Sequence, residues 1–239
     1  MPHYNAHCLL RDFERARAIA PYGDDARVGH VTRMLVSHGS AILQTHKLAA
    51  TDRDHVAALL ALFDPPRGSC VLDAGCGVGA VAEIMASIRP DLHFTLLNIS
   101  GAQLEMAPAG TAKVRADIHA LPFCSGSFDA VMFNYSLGHG LLDTCLEEAA
   151  RVLRPGGIVF IYDLATDDQD YLIGRLGYRP HSRAEVLAAA ERHGFLADVA
   201  ENPPSSTDAF VRLVGSEAFV DFGFARAWPM VYRLAKAPI

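Results

Sequence analysis

The stretch Val71-Leu72-Asp73-Ala74-Gly75-Cys76-Gly77-Val78-Gly79 decides the fold. An apolar run meets an acid and then glycines spaced G-x-G-x-G, which reads as a strand entering a tight turn and opening a helix. Glycine is wanted at such a turn because φ must be positive or because a side chain would collide with a ligand. Dinucleotide-binding folds use a similar glycine-rich turn against phosphate.

Downstream, short β-rich runs alternate with helical ones, as expected of a parallel sheet with crossover helices. Strands are expected at Cys70 to Ala74, Phe94 to Ile99, Ala112 to Ala116, Phe128 to Asn134, Ile158 to Asp163, Leu196 to Ala200 and Met230 to Ala235. Helices are expected at Ala80 to Ile88, Ala102 to Ala107, Leu141 to Leu153, Arg183 to His193 and Asp208 to Phe224, with a turn at Arg154-Pro155-Gly156-Gly157. Upstream, Asp64-Pro65-Pro66-Arg67-Gly68-Ser69 breaks the chain, and the residues before it read as helical: Phe13 to Ile19, Val28 to Leu43 and His55 to Phe63. The expected division is therefore a helical cap over 1–65 and an α/β domain over 66–239, with a pocket-forming insertion near 203–229.

Of the 239 residues 51% are hydrophobic and 20% charged, which predicts a buried core rather than disorder. A net charge of −6 argues against a general nucleic-acid footprint. Cys8, Cys70, Cys76, Cys124 and Cys145 form no CxxC pair and are expected as buried free thiols in a reducing cytoplasm. The start Met1-Pro2-His3-Tyr4 lacks a signal-peptide pattern, and no window is apolar enough for a membrane span.

Four ordered segments resemble the class I S-adenosylmethionine (SAM)-dependent methyltransferases: the glycine-rich turn, Asn98-Ile99-Ser100 after the second strand, Asp117-Ile118-His119-Ala120-Leu121-Pro122-Phe123, and Ser127 to Val131 followed by Ala150 to Gly157. The resemblance implies a Rossmann-like seven-stranded α/β sheet with helices on both faces, closed by an antiparallel strand. It also implies a cofactor set. Asp73, Gly75, Gly77 and Gly79 cradle the methionyl part and ribose, and Asn98 with Ile99 and Gln103 faces the ribose. Asp117 meets the adenine amino group, Ile118 packs on its ring, and Asn134 completes the set. Asn98 departs from the family, where Asp or Glu is usual; an amide still accepts one hydroxyl, without charge-assisted strength.

Arg179-Pro180-His181-Ser182-Arg183, with Asn134-Tyr135-Ser136, is similar to the prenyl diphosphate C-methyltransferases. That likeness implies methyl transfer to an alkene carbon of a small isoprenoid diphosphate such as isopentenyl diphosphate, through a carbocation, with an optional magnesium ion on the diphosphate. Independently of it, Ser182 reads as a helix cap whose backbone N–H groups attract phosphate, with Arg175, Arg179, His181 and Arg183 adding positive charge. His30, Arg33, His38 and His46 form a second polar set in the helical region. Phe219 to Trp228 reads as core packing or as an apolar pocket wall. Asp167-Asp168-Gln169-Asp170 is read first as a solvated loop and second as a magnesium motif.

Where the geranyl enzymes are read as placing a basic Glu, this chain has Tyr135-Ser136, so His139, Tyr135, Asp163 and Glu217, or the substrate diphosphate itself, are the base candidates. The alternatives are an O- or N-methyltransferase of another small natural product, with His139 as base, and a cofactor-binding regulatory protein without catalysis. The expected partner is a small molecule, with a homodimer as the conceivable assembly.

Overall fold

The computed structural model describes residues 24–38, 41–166 and 178–237. Helix α1 (Asp25–His38) and helix α2 (Asp52–Phe63) precede the sheet. Then come β1 (Cys70–Ala74), α3 (Ala80–Ile88), β2 (His93–Asn98), α4 (Gly101–Leu104), β3 (Ala112–Arg115), β4 (Phe128–Asn134), α5 (Leu142–Val152) and β5 (Leu153–Thr166). The chain finishes with α6 (Arg183–Arg192), β6 (Phe195–Glu201), α7 (Asp208–Val214), α8 (Ser216–Asp221) and β7 (Ala227–Lys236).

The seven strands lie in the order β3-β2-β1-β4-β5-β7-β6. Pairings from β3 through β5 are parallel, and β7 runs antiparallel to both β5 and β6. A parallel sheet covered by helices must bury both faces, so its strands are nearly continuous apolar runs. Successive residues then divide between two cores. Leu72, Leu97, Phe133 and Ile161 pack with Leu146, Ala149 and Val186 of α5 and α6. Val71, Leu96, Met132 and Phe160 pack with Leu59, Phe63, Val81 and Met85 of α2 and α3. The α2 helix thus belongs to the sheet's own core: Phe63 stacks on Phe160 with ring centroids 4.9 Å apart. Thr51 caps α2 by accepting from the Asp54 N–H at 3.1 Å, and the helix ends where Asp64 turns left-handed before Pro65.

Three expected elements differ. The helix expected to reach Leu43 ends at His38, and residues 41–47 form a non-helical strap held by side chains described below. The helix expected over Asp208 to Phe224 is broken at Gly215 (φ 88°, ψ 151°), a conformation outside the helical region. The strand β5 begins at Leu153, and the Pro155-Gly156-Gly157 turn becomes an irregularity in its pairing with β4 between Phe128 and Ala130. Cys124 is exposed rather than buried, Cys70 and Cys76 are half-buried, and Cys145 alone of the described cysteines is buried. The expected helix at 13–19, Cys8, Arg175 and the acidic run 167–170 lie outside the described residues. No described helix is long and apolar enough to cross a membrane.

Candidate functional site

A cavity of about 510 Å³ opens at the carboxyl ends of β1, β2 and β4, where open α/β sheets bind ligands. The turn after β1 forms its floor. Gly75 and Cys76 donate their N–H groups to Leu97 O at 2.8 and 3.0 Å, joining the ends of β1 and β2. Gly75 has φ 83°, and a Cβ there would come within 2.4 Å of Ser136 Cβ. Ser136 sits close because its hydroxyl donates to Ala74 O at 2.7 Å. At Gly77 (φ 57°) a Cβ would meet no protein atom within 4 Å, so backbone geometry rather than packing demands glycine there.

Two polar groups at this floor lack partners among the described residues. Both carboxylate oxygens of Asp73 and both amide atoms of Asn134 are buried without a hydrogen bond. Burial pushes the Asp73 carboxyl up to about 7. Such groups are costly unless a ligand completes them, and the amino-acid end of a nucleoside sulfonium, with its ammonium, is complementary to Asp73. The residues present fit that cofactor.

Asn98, at the end of β2, explains its own departure from the family. Its amide donates to Gly77 O at 3.1 Å and to Gln103 Oε1 at 2.9 Å, while its oxygen accepts from Ser100 N–H at 3.2 Å. Gln103 Nε2 in turn donates to Thr32 Oγ1 on α1 at 3.0 Å. A carboxylate cannot donate either of the first two bonds. Asp25, also on α1, accepts from the Ser100 hydroxyl at 2.5 Å and pairs with Arg115 at 3.3 Å. These bonds fasten α1 beside the cavity, and its Val28, Thr32 and Leu35 form part of the wall.

Asp117 is fixed by His119. The ring Nδ1 lies 2.6 Å from Asp117 Oδ1, and Nε2 accepts from Leu141 N–H at 2.8 Å. A neutral ring that accepts at Nε2 carries its proton on Nδ1 and donates it to the carboxylate. Asp117 and Ile118 both line the cavity, as do Asp73, Gly75, Gly77, Asn98, Ile99, Gln103 and Asn134. Gly79 does not: it caps α3 at φ 75°, and a Cβ there would meet Leu96 at 2.8 Å.

Among the base candidates, His139 and Tyr135 line the cavity. His139 sits in a 3-10 turn (Leu137–His139) at the rim, edge-on to Tyr178 with centroids 4.9 Å apart. Tyr135 holds a left-handed backbone (φ 53°), rare for an aromatic residue. Its hydroxyl lies 3.0 Å from Thr45 Oγ1 and accepts from His46 N–H at 3.2 Å. Burial pushes that phenol well above its ordinary range, which disfavours it as a base. Asp163 lies behind the cavity wall and accepts from Leu137 N–H at 3.0 Å and Leu164 N–H at 2.8 Å. It supports the turn carrying His139, and burial raises its carboxyl to about 7. Glu217 is exposed on α8 and outside the cavity lining.

The described side chains of the expected substrate set do not gather at the cavity. Arg33 is exposed on the outer side of α1, and His38 ends that helix. His46 is buried, with Nδ1 2.9 Å from Thr45 Oγ1, and it borders a separate shallow groove with residues 202–208 and Trp228. Ser182 is occupied by a capping box, accepting from Glu185 N–H at 3.2 Å while Glu185 accepts from Ser182 N–H at 2.8 Å. Arg179 pairs with Glu185 at 2.9 Å, Arg183 donates to Ala200 O at 3.3 Å, and His181 is buried outside the lining. The phosphate site expected at this helix start is therefore replaced by self-contained capping.

Residues not anticipated from sequence complete the cavity. Ala41 to Thr45 cross it as the strap, while Leu164, Tyr178, Phe210, Leu213 and Phe224 make an apolar end. Of the Phe219 to Trp228 run, Phe224 reaches the cavity, and Phe219 and Phe222 pack behind it. Among the described lining residues none is Lys or Arg, and no described group of three or more acids, histidines or cysteines is arranged to hold a metal ion.

Sheet order, glycine-rich turn and cavity together define the class I methyltransferase fold. Residues 72–161 match the family described as "Methyltransferase domain", within a sheet of the class I methyltransferase order. It is 40% identical over 116 residues to the O-methyltransferase cnsE of Penicillium expansum, covering 44% of this chain and 41% of that protein. It is 30% identical over 191 residues to the sterol 4-C-methyltransferase strm-1 of Caenorhabditis elegans, covering 70% of this chain and 54% of that one. The match thus spans about half or less of these relatives' lengths. The geranyl diphosphate C-methyltransferase of Streptomyces coelicolor A3(2), solved with magnesium, geranyl diphosphate and S-adenosylhomocysteine, aligns with a TM-score of 0.68 at 14% identity. That alignment covers 89% of this chain and 98% of the solved one.

Proposed function

We propose that this protein transfers the methyl group of SAM to a small, largely apolar acceptor. The observation that carries the reading is convergence: Asp73, Asn98, Asp117 and Asn134, from four separate segments, meet around one glycine-floored cavity with an apolar end. When bound, the cofactor supplies an electrophilic sulfonium methyl. The chain's own part is to bind, orient and exclude water. Asp73 holds the ammonium end, Asp117 the adenine edge, and Leu164, Tyr178, Phe210, Leu213 and Phe224 shelter the acceptor. His139, at the rim, takes the proton of an acceptor hydroxyl through a ring nitrogen as that oxygen is methylated.

This O-methylation reading is favoured because the described lining contains no Lys or Arg to meet a diphosphate. The second reading is C-methylation of a small isoprenoid diphosphate with magnesium on the diphosphate. It is supported by the fold likeness to the Streptomyces enzyme, and it would need cationic partners beyond those described. Calorimetry with SAM tests the shared part. Mass spectrometry of reactions with isopentenyl, dimethylallyl, geranyl and farnesyl diphosphates, beside a panel of phenols and enols, separates the two. A methylated diphosphate would overturn the first reading, and a methylated hydroxyl the second.

A further inference from the structure

The strap over the cavity carries Gln44, a buried amide that lines the cavity. Its oxygen is held from behind. His55 is fully buried, and its Nδ1 accepts from Leu48 N–H at 3.0 Å. The neutral ring must therefore carry its proton on Nε2, which lies 2.5 Å from Gln44 Oε1. That single chain of donors fixes which way the amide points: the carbonyl faces His55 and the NH₂ faces the cavity. Burial lowers the His55 ring to about 4, so it stays neutral near pH 7. The strap itself cannot drift far, because Tyr162 donates to His46 O at 2.8 Å and Lys47 pairs its backbone with Ser206 at 2.9 Å in both directions.

What an oriented donor meets there follows from the charges of the cofactor, so the inference rests on the SAM reading above. The amino-acid end bears an ammonium and a carboxylate on one carbon. Asp73 suits the ammonium and repels the carboxylate. The described lining offers no Lys or Arg. The amides of Asn98 and Gln103 are engaged, the first with Gly77 and Gln103 and the second with Thr32. This leaves Asn134 and Gln44 as lining amides with donors to give, and Gln44 as the one whose orientation a buried histidine fixes. Thr45 Oγ1 already lies within 3.0 Å of Tyr135 OH and 2.9 Å of His46 Nδ1. We propose that Gln44 donates its NH₂ hydrogens to the carboxylate of SAM, and that His55 is a positioning residue that orients this amide.

The test is a comparison of SAM with decarboxylated SAM by calorimetry, using the full chain and with thermal unfolding of every variant measured alongside. Wild type should bind SAM more tightly. Gln44→Met, similar in volume, should lose about tenfold or more for SAM, the worth of one hydrogen bond to a charged group, while decarboxylated SAM is bound as before. Gln44→Glu keeps the bond to His55 and should reverse the preference, favouring the decarboxylated form. His55→Leu should narrow the preference, a selectivity change that mere loosening of the fold would not produce. Equal loss for both ligands, or retention of the wild-type preference in Gln44→Met, overturns the proposal while leaving the methyltransferase reading intact. Failure of wild type to bind SAM at all would instead remove the reading on which it rests.

Discussion

Replacing Asn98 by the acid usual at this position in the family is expected to harm the protein, although a carboxylate grips ribose hydroxyls better than an amide does. In Asn98→Asp the donors to Gly77 O and Gln103 Oε1, at 3.1 and 2.9 Å, disappear. Two lost hydrogen bonds are worth about 2 kcal/mol together. A new charge facing two acceptor oxygens in a position only 7% exposed adds about 1–2 kcal/mol more. A total near 3 kcal/mol lowers the melting temperature by roughly 6–12 °C for a chain of this size. The damage has a pH signature. The introduced acid has its folded pKa raised above the unfolded value near 4, so the charge penalty is absent only below that value. The penalty grows as pH rises through the folded pKa. Differential scanning calorimetry of both proteins at pH 5 and 8, with SAM titrations, reads all three effects. A variant with unchanged melting temperature and tighter SAM binding would show that the Asn98–Gly77–Gln103 bridge does not organise this turn.

SAM binding should expel a proton near neutrality. Asp73, raised to about 7 by burial, is part-protonated in the empty protein and ionises beside an ammonium, so at pH 7 about half a proton is released. Calorimetry in two buffers of different ionisation enthalpy measures it, and affinity should climb as pH rises through 7; buffer-independent heats would refute the assignment. His46 and His55, both lowered to about 4 by burial, must stay neutral in the fold. Their folded values lie below the unfolded value near 6.5, so their contribution is complete above 6.5 and is lost as pH falls toward 4. The slope is about 1.4 kcal/mol per pH unit for each group. Urea midpoints that stay flat between pH 7 and 4.5 would contradict this. His139→Ala should cut turnover about 10²–10⁴-fold while SAM affinity holds, and undiminished turnover would remove His139 as the base.

Local signals were legible in the sequence because their cause is local. The β1 turn declares itself through Asp73 and its glycines, and Phe128–Asn134 through an apolar run bounded by polar residues. Ser182 was equally visible as a cap, but its meaning was not. Its oxygen and backbone serve Glu185 three residues on, and the same Glu takes Arg179, so the cap and one arginine of the expected anion site are already engaged with each other. The helix expected to Leu43 failed for the opposite reason. Residues 41–43 continue the apolar spacing, yet 41–47 are not helical, and Tyr135 and Tyr162, some ninety and more residues later, bond the backbone of His46. No periodicity reports a partner at that separation.

The strap and the left-handed Tyr135 explain each other. Fixing an aromatic residue at φ 53° costs of order 1–3 kcal/mol unless the surroundings compensate. Here Tyr135 N–H donates to Tyr162 O at 2.8 Å, and its hydroxyl takes Thr45 and His46. The strap gives the Tyr135 hydroxyl two of its partners, Thr45 and His46, and Tyr135 in turn adds to the bonds from Tyr162 and Ser206 that hold the strap over the cavity. The same residue follows Asn134 and precedes Ser136, which sets the depth of the Gly75 turn. Strain at one position therefore joins the cofactor floor, the strap and the rim that bears His139. Relaxing it, as Tyr135→Gly would, removes the strain and the anchor together, so the backbone gain cannot restore the wall.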